Sequence, residues 1–159
     1  MDISFEELTH DNFAAVSRID RSDVSEAFVD TAETIMETTD YGVEHGCVGH
    51  TFAVRLGGEY IGLILIGEAL EWETDPPEMR LEPFYRVMGF VLDRRYRGRG
   101  IGGEVFEQAI ARTYADFGAR SLALGCHRDN TRAARFYEQH GFVRTEYTEG
   151  NDIYYLRII

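Results

Sequence analysis

The sequence predicts a mixed α/β fold of about seven strands and four helices, forming one domain over residues 1–159. Three observations carry this. Short apolar runs bounded by glycine turns recur along the chain, and none, Leu63–Ile66 included, exceeds four residues. Between them lie stretches of helical spacing, clearest from Ile101 to Phe117. The C-terminal residues read as a hairpin rather than as further strand–helix–strand units.

In chain order, Ile3–Leu8 reads as a short strand, followed by helices over His10–Ile19 and Asp30–Thr39. Asp30 with Glu33 is placed to start the second helix as a capping-box-like pair. Thr51–Leu56 and Glu59–Gly67 flank Gly57-Gly58 and read as a hairpin. Glu68–Pro83 is acidic, contains Trp72 and all three prolines, and reads as a loop. Phe84–Leu92 is a strongly apolar strand. Ile101, Val105, Ala109, Ile110, Tyr114 and Phe117 then recur as one helix face, closed by Gly118. Ser121–Gly125 is a strand and Asn130–His140 a helix ended by Gly141. Phe142–Thr148 and Asp152–Ile159 close the chain as a hairpin around Glu149-Gly150-Asn151.

Composition narrows the function. An apolar content of 44% and a charged content of 28% are those of a globular protein. No apolar run is long enough to cross a bilayer, and the acidic N-terminus lacks a secretory pattern, so a cytoplasmic protein is expected. Cys47 and Cys126 are in no metal-binding spacing and are expected as buried free thiols; no metal is expected. All 16 basic residues are arginine. A Walker-type phosphate loop needs its lysine, so that class of nucleotide hydrolase is excluded. Residues 1–84 carry 19 acids against 4 arginines, and residues 85–159 carry 9 against 12. One part of the chain therefore tolerates an anion while the remainder attracts cations. With a pI near 4.8, nucleic acid is not an expected partner, nor is a membrane.

The most informative stretch runs from Phe90, Val91 and Leu92 through Asp93-Arg94-Arg95-Tyr96 to Arg97-Gly98-Arg99-Gly100-Ile101-Gly102-Gly103. A buried strand enters a glycine-rich turn that opens directly into an amphipathic helix. Glycine lets backbone approach a ligand closely, and the free N–H groups of the helix start converge there with the positive end of the dipole. Such a turn suits a phosphate or pyrophosphate. Gly98, Gly100 and Gly103 also satisfy GxGxxG. A dinucleotide fold is nevertheless rejected, because only 56 residues follow Gly103 and they end in a hairpin.

The second stretch is Asn130-Thr131-Arg132-Ala133-Ala134-Arg135-Phe136-Tyr137-Glu138-Gln139-His140-Gly141-Phe142. Asn130 caps a helix, and Ala133, Phe136 and Tyr137 share one face. Together, Arg97-x-x-Gly100-x-Gly102 and Asn-x-x-Ala-x-x-Phe-Tyr-Glu-x-x-Gly-Phe closely resemble the GNAT superfamily of acetyl-CoA-dependent N-acetyltransferases. The resemblance is strong over Phe84–Phe142 and looser over the whole chain. It implies a central sheet splayed open after Phe84–Leu92, with no metal and no covalent enzyme intermediate. Backbone N–H groups from Gly98 to Gly103 would hold the pyrophosphate of coenzyme A. Backbone near Phe90, Val91 and Leu92 would pair with the pantetheine arm, with Asn130 contributing a hydrogen bond. Tyr137 would stand beside the thioester sulfur and donate a proton to the departing thiolate.

The general base is the point of departure. Some relatives carry a glutamate at the position of Gly125, and Arg86, Val87 and Met88 supply no acid on the neighbouring strand. Glu68, Glu71, Glu73 and Glu82, in or beside the acidic loop, remain candidates, alongside a water chain to bulk. The acidic first half favours a small cationic acceptor such as a polyamine, diamine or aminoglycoside, and Phe28-Val29-x-Thr31 loosely resembles polyamine acetyltransferases. Protein N-termini or lysines are the alternative acceptors, and a non-catalytic acetyl-CoA sensor the alternative of another class. The closing hairpin is compatible with a homodimer.

Overall fold

A computed structural model describes residues 2–159. The elements are β1 (Ile3–Glu7), α1 (Phe13–Val16), α2 (Ala32–Glu44), β2 (Gly49–Leu56), β3 (Glu59–Glu68), β4 (Phe84–Leu92), α3 (Ile101–Phe117), β5 (Ser121–His127), α4 (Thr131–Gln139), β6 (Val143–Glu149) and β7 (Asp152–Arg157). The seven strands form one sheet in the order β1-β2-β3-β4-β5-β7-β6. All neighbours are antiparallel except β4 and β5.

Both faces of the sheet are covered, which explains the unbroken apolar run in β3. Ile64 and Ile66 face α3 and α4, joining Val105, Phe106, Ile110 and Phe142 in one core. Leu63 and Leu65 face the opposite way, toward α1 and α2, packing with Val16, Ile35 and Met36. Phe106 is fully buried. It anchors an aromatic cluster whose ring centroids lie 5.4 Å from Phe90, 5.5 Å from Phe136 and 5.7 Å from Tyr137. Side chains buried this fully stabilise the fold by about 1.5–3 kcal/mol each.

The N-terminal helices differ from expectation. Only the single turn Phe13–Val16 forms within His10–Ile19. Ser17 and Asn12 satisfy backbone groups locally, which favours turns over continued helix. The helix expected at Asp30 is capped instead by Thr31, whose hydroxyl accepts the Thr34 N–H at 3.2 Å. Cys126 is buried as expected, and burial pushes its thiol up to about 11, whereas Cys47 is only partly covered.

The acidic loop is also more structured than its composition indicates. Arg86 of β4 is buried under it, bonded to both carboxylate oxygens of Asp75 at 3.0 Å. The guanidinium also stacks 3.6 Å from the Trp72 ring centroid and donates to the Leu70 carbonyl at 2.8 Å. Asp75 further accepts the Trp72 N–H and the Tyr154 hydroxyl, both at 2.9 Å. Burial alone would raise the Asp75 carboxyl; Arg86 and these donors bring it below its ordinary value.

Candidate active site

β4 and β5 pair only where Phe84–Arg86 meets Ser121–Ala123, and beyond Arg86 the two parallel strands part. A bulge in β4 sets the geometry of the gap. Leu63 stands opposite Val91 and Leu65 opposite Met88, so Gly89 and Phe90 together face Ile64. Gly89 has φ +64°, and a Cβ there would lie 2.5 Å from Ile35 side-chain atoms, so only glycine fits. The side chains of Val91 and Leu92 are buried in the two cores. What this part of β4 offers the gap is therefore its backbone.

At the end of β4 the chain turns through Asp93, which is 1% exposed. Its carboxylate accepts the Arg95 guanidinium at 3.0 Å and the N–H groups of Asp20 and Arg95 at 3.0 and 2.9 Å. The Arg95 bond, followed by these backbone donors, outweighs burial and lowers the Asp93 carboxyl to about 2. Arg97 pairs with Asp23 and donates to the Leu92 carbonyl at 2.5 Å. Both arginines thus brace the turn, whereas Arg94 and Arg99 form no ion pair among the described residues.

Gly98 and Gly100 both have φ +76°, and a side chain at either would project into open space. Helix α3 then starts at Ile101 with no side-chain cap. The N–H groups of its first turn are left for an external acceptor. Gly102 and Gly103 differ in kind: added Cβ atoms would face Leu92 and Phe136 at 3.7 Å, and His140 at 3.3 Å. They serve close packing of α3 as well as the turn.

Across the gap, the Asn130 side-chain oxygen accepts the Ala133 N–H at 3.3 Å and caps α4, and its amide NH₂ has no partner among the described residues. Tyr137 packs its ring on Phe106, Phe136 and Phe142, and its hydroxyl has no hydrogen-bond partner among the described residues. Burial, with Cys126 nearby, holds that hydroxyl protonated well above its ordinary range. It lines a cavity of about 190 Å³ with Phe90, Gly125 and Trp72. Four carboxylates share the lining: Glu26 and Asp30 from the α1–α2 segment, and Glu149 and Asp152 from the closing hairpin.

The model of the acetyltransferase (GNAT) family matches residues 13–142. The chain belongs to that family. As a GNAT acetyltransferase it is 22% identical over 142 residues to the spermine/spermidine N(1)-acetyltransferase of Bacillus subtilis, covering 89% of this chain and 88% of that protein. Among solved structures it resembles the aminoglycoside acetyltransferase AAC(6')-Ib in complex with coenzyme A, with a TM-score of 0.73, 18% identity and coverage of 98% and 94%. It also resembles the PaiA N-acetyltransferase of Thermoplasma acidophilum in complex with coenzyme A, with a TM-score of 0.70, 16% identity and full coverage of both chains. The splayed seven-stranded GNAT sheet is thus present, and the chain is an acyltransferase.

In this GNAT chain the acidic loop borders the cavity through Trp72, not through the glutamates expected there. Glu68 accepts the Val48 N–H at 3.2 Å and lines a separate cavity. Glu71 pairs with Arg80 at 2.7 Å, and Glu82 accepts the Ser121 hydroxyl at 2.9 Å. Glu73 is likewise absent from the lining. The acids that do line the cavity were missed, because pairing of β5 with β7 places Asp152 there and no local motif marks it. The Gly89 bulge had a readable signal, an isolated glycine within an apolar strand.

Proposed function

We propose that this acetyltransferase moves the acetyl group of acetyl-CoA to a primary amine of a small cationic acceptor. The observation that carries this reading is the ring of Glu26, Asp30, Glu149 and Asp152 around a cavity that also reaches Tyr137 and the gap between β4 and β5. No lining arginine is free to repel a cation, since Arg86 is neutralised by Asp75 beneath Trp72.

The chain suits the co-substrate, which supplies an activated acetyl thioester. The uncapped start of α3, under the open space at Gly98 and Gly100, fits the pyrophosphate. The edge of β4 that β5 leaves uncovered at Phe90, Val91 and Leu92 fits an extended arm laid along it, and Asn130 keeps an amide donor for the same arm. Backbone N–H groups near Leu92 would polarise the acyl oxygen. The protonated Tyr137 hydroxyl can deliver a proton to a departing thiolate.

A thiol-release assay across a panel of amines tests the reading. Spermidine, a diamine and an aminoglycoside should support acetyl-CoA-dependent release, with dicarboxylic and uncharged amines far slower. Preference for anionic or neutral amines, or turnover only with peptide N-termini, would overturn the acceptor class. The GNAT assignment would survive either result.

A further inference from the structure

Tyr137 can give a proton to the leaving sulfur, but the attacking amine must lose one to another group. Of the four acids expected from the loop, Glu68, Glu71 and Glu82 bond elsewhere, and Glu73 is outside the cavity lining. Of the carboxylates lining the cavity, Glu149 is engaged by the Thr74 hydroxyl at 3.0 Å and the Tyr154 hydroxyl at 3.5 Å. Glu26 and Asp30 lie on the exposed rim.

Asp152 differs from these. It is partly buried at the first position of β7, registered against His127 of β5. Its carboxylate makes no hydrogen bond to any donor among the described residues, unlike buried Asp75 and Asp93. It leans over Gly125: a Cβ built on that glycine would lie 3.3 Å from Asp152 Oδ2. Any side chain at position 125 would compete for this space, and glycine leaves the carboxylate facing a cavity shared with Tyr137 and Phe90.

We propose that Asp152 is the catalytic base, accepting a proton from the acceptor nitrogen as it attacks the thioester. The inference rests on the small-amine reading above. The ammonium form of the acceptor first loses one proton to solvent. As the C–N bond forms, the nitrogen gives a second proton to the Asp152 carboxylate. As the C–S bond breaks, its electron pair stays on sulfur, which takes a proton from Tyr137. Asp152 then returns its proton to solvent and Tyr137 regains one, so each turnover yields amide, free thiol and one net proton.

The surroundings agree with this role. Burial, the dominant influence, raises the Asp152 carboxyl above its ordinary value. Glu149 of β6 and Asp30 of the α1–α2 segment act in the same direction, and His127 of β5 opposes them. The Cys126 thiol, also on β5, feels the Asp152 charge. A carboxylate with a raised pKa is the stronger base.

The test uses the full chain with saturating acetyl-CoA and spermidine. Asp152→Asn should lower kcat on the order of 100-fold near neutral pH. It should also replace the acid limb set by the carboxylate with a single rise of kcat toward the pKa of the amine. Glu149→Gln should instead raise KM and keep the limb. Acetyl-CoA affinity, measured by calorimetry, should be the same in all three proteins. In the wild type, a carboxyl NMR titration of Asp152 should give a midpoint matching the acid limb, which tests the assignment even if the variant does not fold. A folded Asp152→Asn that keeps kcat, or changes only KM, overturns it, as does a titration midpoint away from the limb. Absence of wild-type turnover with every amine would instead count against the small-amine reading.

Discussion

Tyr137, whose hydroxyl is held protonated by burial and has no partner among the described residues, lines a cavity with acidic walls. Tyr137→Phe removes the donor and almost no volume, so the fold and acetyl-CoA affinity should be retained while kcat falls at least tenfold. The loss should shrink with an acyl donor whose thiol is more acidic, because that thiolate leaves without a proton. Steady-state kinetics with the two donors check this, and unchanged turnover where chemistry is rate-limiting would leave Tyr137 as a packing residue. Asp93 makes a different prediction. Its folded pKa of about 2 lies below the ordinary 3.8, so its contribution to stability is complete above pH 4. That contribution, about 2 kcal/mol, is lost as pH falls toward 2. Asp93→Asn should therefore lower stability at pH 7 by about that amount and flatten the acid limb of the stability curve, measured by urea unfolding at several pH values.

Among the elements, β4 does most to shape the site. Its bulge requires Gly89 in a left-handed conformation, with its Cα hydrogen turned toward Ile35. Gly89→Ala adds backbone strain and a 2.5 Å contact, and should destabilise the protein by about 2 kcal/mol. Because the same bulge sets the course of Phe90 to Leu92, acetyl-CoA affinity should fall as well. Chemical denaturation and calorimetry check the two effects separately. The elements also show what was legible in the sequence. Strand β4, helix α3 and helix α4 stand where periodicity, Gly118 and Asn130 place them, because each signal is local. Expectation failed at His10–Ile19, where side-chain-to-backbone bonds cut the helix to one turn. Glu68–Pro83 forms a loop as its composition indicates, but the residue that organises it, Arg86, lies on another element.

For the molecule as a whole, the segregation of charge sets separate consequences for the two ligands. Acetyl-CoA binding only the folded state should add about 2.7 kcal/mol of stability at 100 times its Kd. In a domain of this size that is a rise of roughly 5–10 °C in Tm. The acceptor site should respond differently. Exposed carboxylates contribute little singly and are screened by salt, so Glu26, Asp30 and Glu149 are best neutralised together. The triple amide variant should raise KM for spermidine several-fold at low salt and less at high salt. The rise of Tm with acetyl-CoA should be unchanged, because the proposed site for its anionic end is the glycine turn and not the acidic cavity. Thermal-shift and kinetic measurements at two ionic strengths check both halves.

The sequence by itself determined the parts of this protein that depend on neighbours along the chain. These are the fold class, the glycine turn opening α3, the Asn130 cap and the Tyr137 face of α4. Each is a short-range pattern in which backbone freedom, helix periodicity or capping acts within a few residues. The gap between β4 and β5 was expected only through resemblance to a family, since a strand does not reveal where its pairing stops. Only the tertiary structure decided which acids meet Tyr137. Glu68, Glu71 and Glu82 are close to Trp72 in sequence yet are drawn to the Val48 N–H, Arg80 and Ser121. Asp152 is 15 residues from Tyr137 but is carried to the same cavity by the antiparallel pairing of β7 with β5. Gly125 gives its carboxylate room through the absence of a side chain, and strand pairing across the sheet is what brings the two together.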